Sequence, residues 1–182
     1  MNTPANPTLS VLTPLIFLTA LASILLVSPI ETVEAASFRH EKTYLLPSGK
    51  SITVVFRERQ CRRGECHEAD AGVWGIEGGV PRVITDMFSI AIDGKEFAIP
   101  EKFYRDLTNT RYLNVFEQDG QVVVELKGGQ AAGAYTAHFM LGGMCGFERK
   151  VCGEVCAEIW EQSVWHNSFA YNADPKCRSG IQ

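Results

Sequence analysis

The first 35 residues of this 182-residue chain contain neither lysine nor arginine, and the only basic cluster in the chain is the short stretch Arg57–Arg63. The chain carries 17 basic and 21 acidic side chains, and two of the acids, Glu31 and Glu34, lie in that first segment. Residues 36–182 therefore carry 17 basic and 19 acidic side chains. Proteins that bind nucleic acids usually present a basic face or a strongly basic balance. We therefore expect no nucleic-acid partner.

Sequence signatures of the common catalytic and cofactor sites are also absent. Residues 36–182 contain no Gly-x-Ser-x-Gly, His-Glu-x-x-His, Gly-x-Gly-x-x-Gly or calcium-loop pattern. Gly49-Lys50-Ser51 matches only the end of a phosphate-binding loop, because Tyr44 stands where that loop has its first glycine. A hairpin turn is the simpler interpretation. We predict no catalytic residue, no cofactor and no metal site.

An uncharged apolar stretch covers residues 9–29, and Val33-Glu34-Ala35 then offers a cleavage-site pattern. This order is typical of a secretory signal peptide, so we predict that residues 1–35 are removed and that residues 36–182 form a single exported domain. The alternative is an uncleaved membrane anchor, because the stretch is close to the ~20 residues that span a bilayer. The membrane contact would then be residues 9–29. Either way we expect the domain in the periplasm or outside the cell.

All six cysteines lie after residue 60, in an early and a late cluster. An even number of cysteines in an exported domain is typical of disulfides. Cys61 and Cys66 can close a short loop, and a bond from Cys177 to one of the late cysteines would hold the tail against the domain. Metal binding near His67 is the alternative, which an oxidising compartment disfavours. We predict that the disulfides form among Cys61, Cys66, Cys145, Cys152, Cys156 and Cys177.

Turn residues between runs of strand-forming residues predict antiparallel hairpins. Asp93-Gly94 and Asp119-Gly120 each separate two such runs, and Asp-Gly is favoured where both central residues of a turn need a positive φ. Pro47–Lys50 separates a third pair of runs. In all, the sequence predicts about seven to nine short strands. They indicate a mainly β domain, either an antiparallel sandwich or a barrel-like sheet, which disulfides stabilise.

Three other regions have less regular patterns. Pro100 and the acid that follows it predict one short helix of about two turns over residues 101–107. Apolar side chains in residues 151–166 repeat at helical spacing, but strand-forming residues favour two strands, near 147–152 and 161–166. The polar residues 57–71 are predicted to be a loop or a strand extension, and the tail from Asn167 is predicted to be irregular.

Aromatic and basic residues in loops are the candidates for recognition, because loops carry function more often than the scaffold does. Trp74 lies in a glycine-rich stretch, and Arg62 and Arg63 lie between the first two cysteines. Tryptophan and arginine are enriched at binding hot spots; the alternative for Trp74 is packing in the core. His138 lies on the presumed outer face of a strand, where the alternative is a solvated histidine. These four are the predicted binding residues.

From these observations we expect a non-enzymatic binding module that recognises another protein or an envelope component. A small secreted or periplasmic hydrolase is an alternative, which would use His138 or a pair of glutamates as acid and base and would place His138 in a deep pocket. A structural envelope protein is a further alternative, which residues 9–29 would hold in the membrane.

Overall fold

A computed structural model of the chain describes residues 38–67 and 72–178. The predicted signal peptide, residues 1–35, lies outside these ranges, so the domain boundary at residue 36 stays a prediction. Within the two described ranges, the structure has no helix with the length and hydropathy needed to cross a bilayer.

In the described part of the chain, nine β-strands form two antiparallel sheets, and neighbours in each sheet are also neighbours in sequence. The first sheet consists of β1 (Arg39–Leu45), β2 (Ser51–Gln60), β3 (Val83–Ile92) and β4 (Lys95–Ala98). The second sheet consists of β5 (Thr110–Gln118), β6 (Gln121–Gly128), β7 (Tyr135–Leu141), β8 (Gly146–Cys152) and β9 (Ile159–His166). After β9 come the short helices α1 (Ser168–Ala173) and α2 (Pro175–Arg178).

Alternating side chains give the first sheet one buried face. In β2, Ile52, Val54 and Phe56 are fully buried, while the residues between them are only partly buried. Phe88 and Ile90 of β3 are their direct cross-strand neighbours and are buried as well. Branched and aromatic side chains pack well on such a pleated, half-buried surface, which explains why these runs form strands.

The buried faces of the two sheets pack against each other and form one core. Phe88 of the first sheet meets Phe139 of the second edge to face, with ring centroids 4.9 Å apart. Phe97 meets Phe147 in the same way, with centroids 6.2 Å apart. Burying one such side chain stabilises a fold by about 2–3 kcal/mol, and edge-to-face contact adds to that. The mainly β, antiparallel fold predicted from the sequence is confirmed, and of the two predicted arrangements it has the sandwich-like one.

Both Asp-Gly pairs form the turns predicted for them. The φ angles are 49° and 76° at Asp93 and Gly94, and 52° and 77° at Asp119 and Gly120. A turn with two positive φ angles matches the right-handed twist of the flanking strands. The hairpins β3–β4 and β5–β6 are therefore specified locally by these dipeptides.

The two strands favoured for residues 151–166 are confirmed as β8 and β9, but the predicted helix at 101–107 is wrong in extent. The structure has a single 3-10 turn there, Glu101–Phe103. Leu107 is fully buried, and its backbone forms an isolated parallel bridge with Trp74. This tertiary contact prevents the helix from continuing to residue 107.

The tail from Asn167, predicted to be irregular, forms α1 and α2. The side chain of Asn167 caps α1, because its oxygen accepts hydrogen bonds from the backbone N–H groups of Phe169 and Ala170. Pro175 begins α2, a position where its missing N–H is no disadvantage. Two local signals that favour helix therefore act in a segment without apolar periodicity.

Every cysteine in the described part of the chain is in a disulfide. The predicted bond between Cys61 and Cys66 is confirmed, and Cys177 bonds to Cys145, which ties α2 to the turn before β8. The third bond joins Cys152 and Cys156. Disulfides persist in oxidising compartments, so these three bonds indicate an extracytoplasmic location.

We expect the disulfides to stabilise the fold unequally, because the chain-entropy effect grows with the loop that a bond closes. The sequence separation is 32 for Cys145–Cys177 and 5 for Cys61–Cys66. Replacing both cysteines by alanine should lower the free energy of unfolding by about 3–4 kcal/mol for the long loop and about 2 kcal/mol for the short one. Urea unfolding followed by circular dichroism measures both changes. A larger loss for the short loop would contradict the entropic explanation.

Candidate functional site

Three of the four predicted binding residues lie at one end of the two sheets. In the first sheet β2 ends and β3 begins here, with Gln60 paired to Val83. In the second sheet β5, β7 and β9 begin here, and β6 and β8 end here. We call this region the loop end and define it by residues 61–66, 72–82, 106–111, 128–134 and 153–160.

The segment before β3 docks on the segment before β5 through backbone hydrogen bonds. The N–H of Trp74 donates to the Asp106 carbonyl at 2.7 Å, and the Trp74 carbonyl accepts from the Thr108 N–H at 3.0 Å. Gly75 follows with a φ of +99°, and a Cβ there would overlap the Thr108 carbonyl. Only glycine fits this position. The docking fixes Trp74 beside the second sheet.

Trp74 and Trp160 form a stacked pair at the loop end. Their ring centroids are 5.7 Å apart, with planes 20° from parallel. Trp74 is half-buried and packs against the core, whereas Trp160 at the start of β9 is 46% exposed. Trp160 also lies against Gly153, where a Cβ would come within 3.0 Å of the indole. Trp160 is therefore the solvent-facing member of a rigid aromatic pair.

A buried carboxylate, Glu58 of β2, joins the two sheets beneath the loop end. Glu58 is 3% exposed and accepts a hydrogen bond from the backbone N–H of Thr110 at 2.9 Å. The Thr110 hydroxyl lies 2.9 Å from the hydroxyl of Tyr135. Burial raises the pKa of Glu58, and the hydrogen bonds from Thr110 oppose that rise. Because buried polar groups are destabilising unless they are hydrogen-bonded, this chain of contacts fixes where β5 begins.

A buried arginine, Arg149 of β8, lies beside this chain of contacts. Arg149 is 2% exposed, and its guanidinium is 2.5 Å from the Asp106 carboxylate and 3.4 Å from the Glu161 carboxylate. Burial raises the pKa of Asp106, and the Arg149 guanidinium opposes the rise. Removing one partner of such a pair leaves a buried charge uncompensated, which is strongly destabilising. The pair therefore holds the segment before β5 on the second sheet.

Buried polar atoms without hydrogen-bond partners collect around this arginine. Arg149 contacts Asp106, and Ser163 is its cross-strand neighbour in β9. Natural interiors leave few polar atoms unpaired, and the exceptions concentrate at functional or strained sites. In the described part of the chain the unpaired buried side-chain atoms are Trp74 Nε1, Asp106 Oδ1, Arg149 Nε and Ser163 Oγ. Three of them belong to neighbouring residues, since Arg149 contacts Asp106 and pairs with Ser163.

The arginines divide into two groups. Among the nine whose side chains the structure describes, five form ion pairs with carboxylates: Arg39, Arg57, Arg59, Arg105 and Arg149. The other four are exposed and have no carboxylate partner among the described residues: Arg62, Arg63, Arg82 and Arg111. All four lie at the loop end, where the exposed acids Glu77, Glu154 and Glu158 also form no ion pair among the described residues.

The Cys61–Cys66 loop is fixed by its own carboxylate as well as by its disulfide. Glu65 accepts two hydrogen bonds from the Arg59 guanidinium, at 2.7 and 2.5 Å, and one from the Arg62 backbone N–H at 2.8 Å. These bonds, led by the one from Arg59, lower the pKa of Glu65 to about 2. The disulfide and these hydrogen bonds fix the loop backbone, from which the side chains of Arg62 and Arg63 extend into solvent.

Two surface cavities open at the loop end. The larger has a volume of about 460 Å³ and is lined in part by Arg82 and Arg111; we call it the arginine cavity. The smaller has a volume of about 280 Å³ and lies beside Cys66, Val73 and Arg105. Small-molecule sites usually measure ~300–1,000 Å³, so the arginine cavity has the size of a site for a small group.

His138 lies elsewhere, on the outer face of the second sheet. Its Nε2 is 2.9 Å from a carboxylate oxygen of Glu125, and its ring meets Phe116 edge to face with centroids 6.5 Å apart. His138 lines neither of the loop-end cavities. The structure therefore does not bring His138 together with the other predicted binding residues, and its binding role stays a separate prediction.

Sequence reasoning placed Arg62, Arg63 and Trp74 among the binding candidates and missed three other residues of the loop end. Arg82 immediately precedes β3, Arg111 lies in the first residues of β5, and Trp160 is in the first residues of β9. Each stands where a strand begins, but the sequence carries no local signal that those strand ends come together.

The comparisons with known proteins add no assignment. The chain matches no protein-family model, and no curated protein and no solved structure is significantly similar to it.

The two tryptophans should differ in what they contribute to stability. Trp74→Ala should lower the free energy of unfolding by about 2 kcal/mol or more, because a half-buried indole is lost from the core side. Trp160→Ala should lower it by about 1 kcal/mol or less, because it removes mainly a stacking contact. Urea unfolding of both variants measures the difference. Equal losses would mean that Trp160, too, is a core residue.

Glu58 should make stability depend on pH in a specific direction. Because the pKa of Glu58 is raised above its ordinary value of 4.5 in the folded protein, the folded state holds that proton more tightly than the unfolded chain. The stability from this carboxyl is therefore present at low pH and lost as pH rises through the raised pKa. Glu58→Gln keeps the acceptor for Thr110, so its melting temperature relative to wild type should be higher at pH 8 than at pH 4. Thermal melts at both values test this; the opposite order would contradict it.

Proposed function

We propose that the domain is an exported, non-enzymatic binding module, secreted or periplasmic, that recognises another protein or an envelope component through its loop end. Residues 1–35 would serve as the signal peptide that exports it. The observation that supports this function best is the gathering of four exposed arginines, each without an ion-pair partner among the described residues, and a stacked tryptophan pair at one end of the sandwich.

The chemistry of the loop end is that of a recognition surface. Exposed Trp160 offers a large rigid area at a small cost in conformational entropy, because Trp74 and Gly153 already hold its ring. Arginine and tryptophan are the residues most often found at binding hot spots. The Cys61–Cys66 disulfide and the docking of residues 72–76 present both kinds of side chain in a fixed arrangement, which lowers the cost of binding further.

The alternative of a small hydrolase would use His138 or a pair of glutamates, and the structure places Glu125 beside His138. Their 2.9 Å contact resembles a base held by a carboxylate. However, the pair lies on the outer face of a sheet and lines neither loop-end cavity, whereas a hydrolase would hold its acid and base in a cleft beside a nucleophile. The binding function therefore has the stronger support.

Site-specific photo-crosslinking in the cells that produce the protein tests the proposal. A benzophenone amino acid replaces Trp160 in one variant, Arg62 in a second and Lys95 in a third; Lys95 is exposed at the start of β4, at the opposite end of the first sheet. We expect the domain outside the cytoplasm on fractionation. Irradiation should give the same adduct from positions 160 and 62 and none from position 95.

The adduct is identified by mass spectrometry after excision. Adducts of equal yield from all three positions would show collision rather than recognition, and no adduct from positions 160 and 62 would contradict a binding function of the loop end. Retention of the domain in the membrane fraction with residues 1–35 intact would favour the anchored envelope protein instead.

A further inference from the structure

The arginine cavity has walls from three separate segments that are fixed to one another. The Asn109 side-chain N–H donates to the Gly75 carbonyl at 2.9 Å, and the Gly129 N–H donates to the Asn109 carbonyl at 3.1 Å. A Cβ at Gly133 would come within 2.7 Å of the Ile76 carbonyl carbon, so that segment is also in close contact. The cavity is therefore built before any ligand arrives, which lowers the entropy lost on binding.

The charge of the cavity is positive although the domain as a whole is slightly acidic. Arg82 and Arg111 line it, and Glu77 is the one acidic residue among its lining residues. Neither arginine has a carboxylate partner in the described part of the chain, whereas Arg59 and Arg105 nearby are both paired. Two exposed arginines thus line a cavity that is open to solvent, and neither guanidinium is paired with a carboxylate among the described residues.

Guanidinium groups such as those of the cavity's two arginines commonly bind oxyanions. A guanidinium has five N–H donors in a planar fork, which matches the two oxygens of a carboxylate or the oxygens of a phosphate. The side-chain amide of Gln130, which also lines the cavity, lies against the Arg111 guanidinium. Ile76 and Val80 add apolar surface to the same wall.

We infer that the arginine cavity is an oxyanion site, which takes a carboxylate or phosphate group attached to a small, partly apolar body. This inference rests on the proposed function and deepens it, since it names the chemical group by which the loop end holds its partner. Arg82 and Arg111 supply the charge-assisted hydrogen bonds, and the backbone of residues 75–78 and 129–131 sets the shape. The size of the cavity limits the inserted group to a side chain, a chain end or a head group.

Titration of the isotope-labelled protein, followed by nuclear magnetic resonance, tests the site. The probes are inorganic phosphate and succinate, with sodium chloride at matched ionic strength as the control. We expect saturable shifts of the Arg82 and Arg111 side-chain N–H signals and of the Gly75 and Gly129 amides with at least one probe, and none with chloride. Phosphate and succinate together distinguish a phosphate ligand from a carboxylate ligand.

Matched variants separate a specific site from general electrostatic attraction. Arg82→Gln with Arg111→Gln should weaken binding ~10-fold or more, as expected for the loss of charge-assisted hydrogen bonds. Lys50→Gln with Lys95→Gln removes the same charge at the opposite end of the first sheet and should change the affinity less than ~2-fold, because salt screens distant charges. Thermal melts confirm that both double variants fold.

Non-saturating shifts, or shifts that chloride reproduces, would overturn the inference, as would equal weakening by the two double variants. If these results accompany a loop-end adduct in the crosslinking experiment, the oxyanion site alone is wrong and the binding function stands. If instead the anions bind at Arg82 and Arg111 but no adduct forms, the site stands and the partner-binding function is wrong.

Discussion

The contact between Glu58 and the backbone of Thr110 governs much of this structure. A carboxylate on the buried face of β2 needs hydrogen-bond donors, and the one it finds is the first residue of β5 in the opposite sheet. That contact fixes how the second sheet begins, and through the Thr110 hydroxyl it reaches Tyr135 at the start of β7. The loops that carry exposed arginines and Trp160 therefore pack on a polar part of the core. Its hydrogen bonds restrict the positions of the strands more than the surrounding aromatic packing does.

Most of the fold could be predicted because its signals are local. Asp93-Gly94 and Asp119-Gly120 determine their turns by backbone conformation, and alternation in β2 assigns its buried face residue by residue. One prediction failed because a distant contact decides, and another because local capping signals were missed. Residues 101–107 have a helix-like beginning, but the burial of Leu107 and its bridge to Trp74 redirect the chain. The sequence of the tail shows no helical periodicity of apolar residues, and its two helices depend on the Asn167 cap and on Pro175.

The candidate site was predictable only in part, for the same reason. Arg62 and Trp74 could be suggested because each lies in a loop with a distinctive local composition. Arg82 and Arg111 are ordinary surface arginines in the sequence, and what distinguishes them is the absence of a carboxylate partner in the described part of the fold. Ion pairing depends on which side chains the tertiary structure brings within a few ångströms. A sequence read one segment at a time does not contain that information.

The order of strands has a consequence for how the chain folds. In both sheets each strand pairs with its neighbour in sequence, and the connection between β4 and β5 carries the chain from one sheet to the other. Closing short turns loses little chain entropy, so each meander can assemble from local contacts. The contact between Glu58 and Thr110, which joins residues 52 positions apart, belongs to the later docking of the two meanders. We therefore expect the loop end to be completed last, when the sandwich closes.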